Sequence, residues 1–220
     1  MRTFRACAAL LSYPEPDLIA ALPELLEVLD REVTLSDGLR VELSGLFAEL
    51  GRETLVCLQE RYVALFDRSR ALSLHLFEHV HGESRDRGQA MVDLLSAYRE
   101  RGVTTVGNEL PDYLPAFLEF LSLLPEAEAC QLAAEAAGVL RALGDRLAER
   151  GSRYAVVFAA LLELAGQPGL AVRRAGRPSP GAEDSPEAVD RAWREEPVMF
   201  GGAGPGPAVP LHEVHEGGGS

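Results

Sequence analysis

Three of the five histidines, His75, His79 and His81, fall in one stretch, LHLFEHVHGESRDRGQAMVDL, at residues 74–94. Glu78, Glu83, Arg85, Asp86 and Arg87 crowd around Gly82 in the same stretch. Imidazoles and carboxylates this close make a donor set for a metal. The spacing does not assemble it. A helix brings His75 and His79 to one face, a strand brings His79 and His81 together, and no regular conformation gathers all three. The HExxH order of zinc proteases is absent, because Glu78 precedes His79. Glu78, Glu83 and Asp86 are candidates for paired acid/base work. No nucleophile accompanies them: there is no GxSxG, and no cysteine neighbours a histidine in sequence. The plainer reading is a hydrogen-bonded loop whose imidazoles and carboxylates satisfy backbone groups and Arg85 or Arg87.

The elements around this stretch are helical in pattern. Met91, Leu94, Leu95 and Tyr98 follow at i, i+3, i+4 and i+7, one face of a helix from Ser84 to Arg101. Ser84 is its expected N-cap, Asp86 sits in its first turn and Gly102 is its stop. Upstream, helices are expected over residues 3–12, from 16 or 17 with Pro23 as a kink or break, from Ser36–Asp37, and over 53–66. Residues 71–80 alternate like a strand, but no second strand-like run exists to pair with them. They are expected as extended loop or a short helical turn. Downstream, Asp112 is expected to cap a helix carrying Tyr113, Phe117, Phe120 and Leu121. One long helix is expected from Pro125 to about Arg150, and a last one over 153–165.

After Gly166 the composition changes to Gly, Pro, Ser and acidic residues, which cannot bury enough apolar surface to order themselves. The expected organisation is an all-α, bundle-like domain of about eight helices over 1–166, followed by a mostly disordered tail over 167–220. An apolar island in that tail, Val189 to Phe200, holds the only Trp, Trp193. The glycines at 201, 202, 204 and 206 lie in a Pro-broken run with no strand before them, so they are no phosphate loop. His212 and His215 form an HxxH in the same tail, a weak metal ligand pair at best.

The charge is −13, with 34 acidic residues against 21 basic. All the basic residues are Arg, since Lys is absent. Such a balance argues against nucleic acid and suits a basic partner. The three cysteines, Cys7, Cys57 and Cys130, have no metal or disulfide spacing and are expected as reduced, buried thiols in a cytoplasmic protein. No run approaches the ~18 apolar residues that a membrane span needs, so no membrane insertion is expected.

Two stretches carry a resemblance. YVALF at 62–66, SLHLFEHVHGESRDRGQAMVDL, Tyr98 with Gly102, and ELPDYLPAFLEFL at 109–121 closely resemble the NarJ-type nitrate reductase molybdenum cofactor assembly chaperones, within the wider family of redox-enzyme maturation chaperones. LLSYPEP near the N-terminus and WREEPVMF in the tail fit the same family. The resemblance spans most of residues 5–165 and that tail island. It implies an all-helical fold, no catalysis and a cytoplasmic client; no resident cofactor or metal is expected. That client would be the apo catalytic α subunit of a respiratory nitrate reductase, held by its N-terminal segment while molybdenum cofactor is inserted and before membrane docking. Molybdenum cofactor delivery proteins are further partners it admits. Wider-family relatives carry E-x-P-D-H where this chain has Tyr113 in place of His.

A helix-in-groove receptor needs an apolar floor and a charged rim. Leu72, Leu76, Phe77, Met91 and Phe117 are the candidate floor. Glu78, Glu83, Asp86, Glu109 and Glu119 are the candidate rim, with His79, His81, Arg85, Arg87, Asp112 and Tyr113 completing the expected client-peptide site. The alternative is a metal- or cofactor-handling protein built on His75, His79 and His81; a purely structural helical module is the third reading.

Overall fold

A computed structural model describes residues 1–32, 34–81, 85–104 and 109–170, and of Arg85 only the backbone. Ten α-helices run through these residues: α1 (Arg2–Leu11), α2 (Pro16–Asp30), α3 (Asp37–Leu50), α4 (Leu55–Tyr62), α5 (Leu76–Val80), α6 (Arg85–Glu100), α7 (Leu114–Leu123), α8 (Glu126–Glu135), α9 (Ala137–Glu149) and α10 (Ala155–Leu164). A π turn (Val63–Asp67) and a 3-10 turn (Arg70–Leu72) join α4 to α5. The all-α expectation holds among the described residues. The expected Ser84 cap, Glu83 and the tail island lie outside them.

The core is built on α10. Every residue of this helix except Glu163 is buried, because its sequence, AVVFAALLEL, is apolar on all faces. It is flanked by α9, α3, α8 and α1, and α1 in turn packs along α7 and α2. The apolar stripe read for α3, Leu39, Leu43, Leu46, Phe47 and Leu50, is buried in full. Burying side chains of this kind contributes about 1.5–3 kcal/mol each.

Polar groups lock the layers. Glu163 of α10 accepts from the backbone N–H and hydroxyl of Ser36 at 2.8 and 2.9 Å, fixing the start of α3. Arg153 reaches Glu49 at 3.0 Å and Glu42 at 3.8 Å, and Arg61 reaches Glu49 and Glu53 at 2.6 and 2.8 Å. Gly45 makes room for this: a Cβ there would stand 2.7 Å from the Arg153 guanidinium. Part of the acidic surplus is therefore spent inside the fold.

Several boundaries differ from the sequence expectation. The helix expected over 125–150 is two, α8 and α9, with the break at Ala136. The run Ala133-Ala134-Glu135-Ala136-Ala137-Gly138 gives no break signal except Gly138, which weakens a helix by about 1 kcal/mol relative to Ala. The break lets α9 reach α5 and the 3-10 turn while α8 stays on α7 and α10. Helix α2 runs through Pro23 without ending. Helix α4 widens into the π turn, closed by Arg68 N–H on the Val63 carbonyl at 3.0 Å. The stop at Gly102 is as read: φ is +71°, and Gly102 and Val103 donate to the carbonyls of Arg99 and Tyr98, a Schellman closure. Of the cysteines Cys7 is buried, Cys130 partly buried and Cys57 exposed. Cys57 lies beside exposed Val56 on the outer side of α4, so the buried expectation fails there.

Candidate functional site

The two stretches singled out in the sequence are zipped together. Leu114 N–H donates to the Leu74 carbonyl at 2.8 Å, and Leu76 N–H to the Asp112 carbonyl at 3.0 Å. These bonds frame a single antiparallel bridge, His75 to Tyr113. Residues 71–80 thus end in the expected helical turn, α5, but they also have a strand partner. It escaped sequence reading because a bridge of one pair leaves no alternating run.

Asp112 is the joint. Its side chain has 0 % exposure. The expectation that it caps its own helix is wrong: Tyr113 holds the N-cap position of α7, with no side-chain cap bond. The carboxylate instead caps α5 across the bridge, accepting the Phe77 N–H at 3.1 Å. Its other oxygen accepts from His75 Nδ1 at 3.1 Å. The bridge turns the carboxylate away from α7 and toward α5, where orphan N–H groups and the helix N-terminus favour negative charge. Arg87 of α6 comes within 3.9 Å of the same carboxylate and 3.4 Å of Glu78. One buried group therefore connects α5, α6 and the start of α7.

The hydrogen bond to Asp112 raises the His75 pKa above its ordinary value. Burial opposes the rise, the charges of Asp112 and Glu78 add to it, and Arg87 reduces it. The other imidazoles have separate partners. His79 Nε2 donates to the Ser73 carbonyl at 2.8 Å, and the His81 ring stands edge-on to Phe77 at 5.6 Å. The cluster that looked like a donor set is directed to three different places. Among the described residues no group of three His, Cys, Asp or Glu side chains is placed to hold a metal ion.

A phenol pair backs the joint. Tyr62 donates to the Leu11 carbonyl at 2.9 Å and shares a 2.9 Å bond with Tyr113. Burial raises the pKa of both, so both stay neutral donors. Tyr98, at the last turn of α6, donates to the Pro111 carbonyl at 2.8 Å and stacks on Phe120 with centroids 4.4 Å apart. Arg101 completes this anchor, lying over Phe120 and pairing with Glu128. Ser73, Tyr62 and Tyr98 were not among the expected site residues, and His75 was named only for the metal- or cofactor-handling alternative. Tyr62 and Tyr98 had one signal, their presence in the stretches that carried the resemblance.

Of the candidate floor, Leu72, Leu76 and Phe117 are buried in the core, and only Phe77 and Met91 are partly open. Of the candidate rim, Asp86, Glu109 and Glu119 are exposed and Glu78 is partly so. Among the described side chains of helix α6, only Tyr98 is buried. The helix meets the body at Arg87, along α5 and at Tyr98, and Val92 is 57 % exposed. The arrangement can hold an outer helix by its two ends and present that helix to another chain. Among the described residues, no helix is long and apolar enough to cross a membrane.

Comparison with known proteins matches this sequence to a family. The family model described as nitrate reductase delta subunit matches residues 15–160. The nitrate reductase molybdenum cofactor assembly chaperone NarJ of Escherichia coli K12 is 43 % identical over 192 residues, 87 % of this chain and 81 % of the relative. A probable chaperone of the same description, NarW of the same strain, is 38 % identical over 202 residues, 91 % and 84 % of the two chains. A probable NarJ of Bacillus subtilis 168 is 30 % identical over 164 residues, 73 % and 86 % of the two chains. The chain belongs to the nitrate reductase delta subunit family, among its NarJ-type members.

Proposed function

We propose that this protein is a cytoplasmic, system-specific chaperone of a respiratory nitrate reductase. It binds the apo α subunit through that subunit's N-terminal segment and keeps it receptive to molybdenum cofactor before membrane docking. It performs no catalysis of its own. The observation that carries this reading is the Asp112 joint, which holds α5 and α6 against the start of α7, with Val92 of α6 exposed among the described residues. The relatives' names point to a nitrate reductase as the enzyme served.

The physical case is one of geometry and charge. Met91, Val92 and Leu95 of α6, Val92 exposed and the other two half-buried, form an apolar strip that fits an amphipathic segment. Asp86 in the first turn of α6 and Glu78, paired with Arg87, lie at one end of the helix, and the net charge of −13 draws a basic segment toward the protein. Because Leu72, Leu76 and Phe117 are buried, they support the site from beneath. Direct contact with the client falls to Phe77, Met91 and the polar side chains of α5 and α6, with Glu83 and Arg85 beside them in sequence. Titration calorimetry with a synthetic peptide of the client's N-terminal segment tests the reading. Saturable heat that Met91→Asp abolishes supports it, and absence of heat with both the peptide and the apo subunit refutes it.

A further inference from the structure

Helix α6 is 16 residues long, yet Tyr98 is the one buried side chain described on it, and Leu94 is its half-buried contact with the core. A helix of this length does not hold itself together in water. Gly88 in its second turn weakens it further, and a Cβ there would meet nothing within 4 Å. What keeps α6 in place is therefore its attachment to the body.

That attachment converges on two adjacent residues. The Tyr98 hydroxyl donates to the Pro111 carbonyl at 2.8 Å, and Arg87 stands 3.9 Å from the Asp112 carboxylate. Arg87 and Tyr98 lie about 16 Å apart along the helix, whereas the Cα atoms of successive residues such as Pro111 and Asp112 are about 3.8 Å apart. The helix thus lies across one dipeptide and grips it with a long side chain from either half. Arg87 adds Glu78 at 3.4 Å, and Arg101 adds Glu128 and the face of Phe120. Helix α5 is tied differently: Leu76 is buried, its backbone is bonded to Asp112, and it touches α9. Helix α10 is buried on nearly all sides. An outer helix held by one buried ring and a few polar contacts detaches at a smaller free-energy cost than the body unfolds.

We propose that α6 is a strap that lifts from α7 as one unit while α1, α3, α5, α7 and α10 stay folded. Lifting it bares the Phe120 ring, on which Tyr98 stacks with centroids 4.4 Å apart and over which Arg101 lies. The lifting is a property of the free protein and does not rest on the client-binding reading. Under that reading the strap carries Met91, Val92 and Leu95 with it, and a bound client slows the lifting.

Hydrogen exchange of the full-length protein without client, over rising sub-denaturing urea, tests this. The amides from Met91 to Tyr98 are expected to share one rate and one shallow urea dependence, faster than the α10 amides, with the Phe77 amide not following them. Tyr98→Phe keeps the ring on Phe120 and deletes the bond to Pro111. It is expected to speed all of these amides by roughly three- to tenfold, Met91 as much as Tyr98. Val157→Ala, in the buried heart of α10, is expected to speed exchange on α10 and leave α6 unchanged. Amides of α6 that share the rate and urea dependence of α10 overturn the proposal. So does a Tyr98→Phe effect confined to the last turn of α6, and so does Val157→Ala speeding α6 and α10 alike. Client calorimetry is a separate measurement, so failure of either idea leaves the other tested.

Discussion

Asp112→Asn removes the charge at the joint while keeping its shape. An amide that keeps its oxygen on the Phe77 N–H turns its NH2 toward His75, 3.1 Å away in the parent. His75 must then take the neutral form and accept, and the charge-assisted bond is lost, at a cost of about 1.5–3 kcal/mol. The weaker pairing with Arg87 at 3.9 Å, partly exposed on the Arg side, adds roughly 0.2–1 kcal/mol. The expected loss is about 2–3 kcal/mol. For a domain of this size that lowers Tm by about 5–10 °C and the urea midpoint by roughly 1 M. Hydrogen exchange localises the effect: the Phe77 amide loses protection first, while the Leu76 amide, bonded to the Asp112 backbone carbonyl, loses less. A loss below about 0.5 kcal/mol, the range of an ordinary surface change, would refute the assignment of Asp112 as the joint.

Other outcomes follow from the same geometry. The raised His75 pKa means that its contribution to stability is fully present below about pH 6.5 and fades as pH rises through the higher folded-state value. Urea midpoints measured across that window are expected to fall with pH in the parent and to fall less in His75→Phe. Tyr62→Phe leaves the Leu11 carbonyl and the Tyr113 hydroxyl short of a partner and is expected to cost about 1–3 kcal/mol. Tyr113→Phe spares the Leu11 bond and costs less, and thermal melts of the two variants read the order directly. Burial pushes the Cys7 thiol up to about 12, so a thiol reagent is expected to modify exposed Cys57 at once and Cys7 only with unfolding; mass spectrometry of the labelled protein shows which.

Helices α1, α3 and α6 were readable because each carries an apolar pattern with a helical period and a recognisable stop, and α10 because it is a long apolar run that ends at Gly166. Gly102 is a case in point: its position after Arg99 and Arg101 announced the Schellman closure found there. The division of α8 from α9 was not readable, since an alanine run favours helix everywhere and tertiary packing chose the break. Sequence reading singled out the two stretches that the structure zips together, but not the partners of the side chains within them. Asp112 stands two residues before α7 and reads as that helix's cap, but a single bridge, His75 to Tyr113, carries it to α5. A pairing between positions 37 residues apart leaves no local pattern. The same holds for the histidines, whose spacing suggested one cluster and whose partners proved to be Asp112, Ser73 and Phe77. Leu72, Leu76 and Phe117 read as a groove floor because apolar residues look alike whether they line a groove or fill a core.

The central claim is that the client's N-terminal segment is held on α5 and α6. Hydrogen exchange of the full-length protein, with and without a synthetic peptide of that segment, tests it most directly. The account predicts new protection at residues 76–100, no comparable change on α3 and α10, and loss of that protection in Met91→Asp. Protection concentrated on α2, α3 or α4, or unaltered by Met91→Asp, would contradict it.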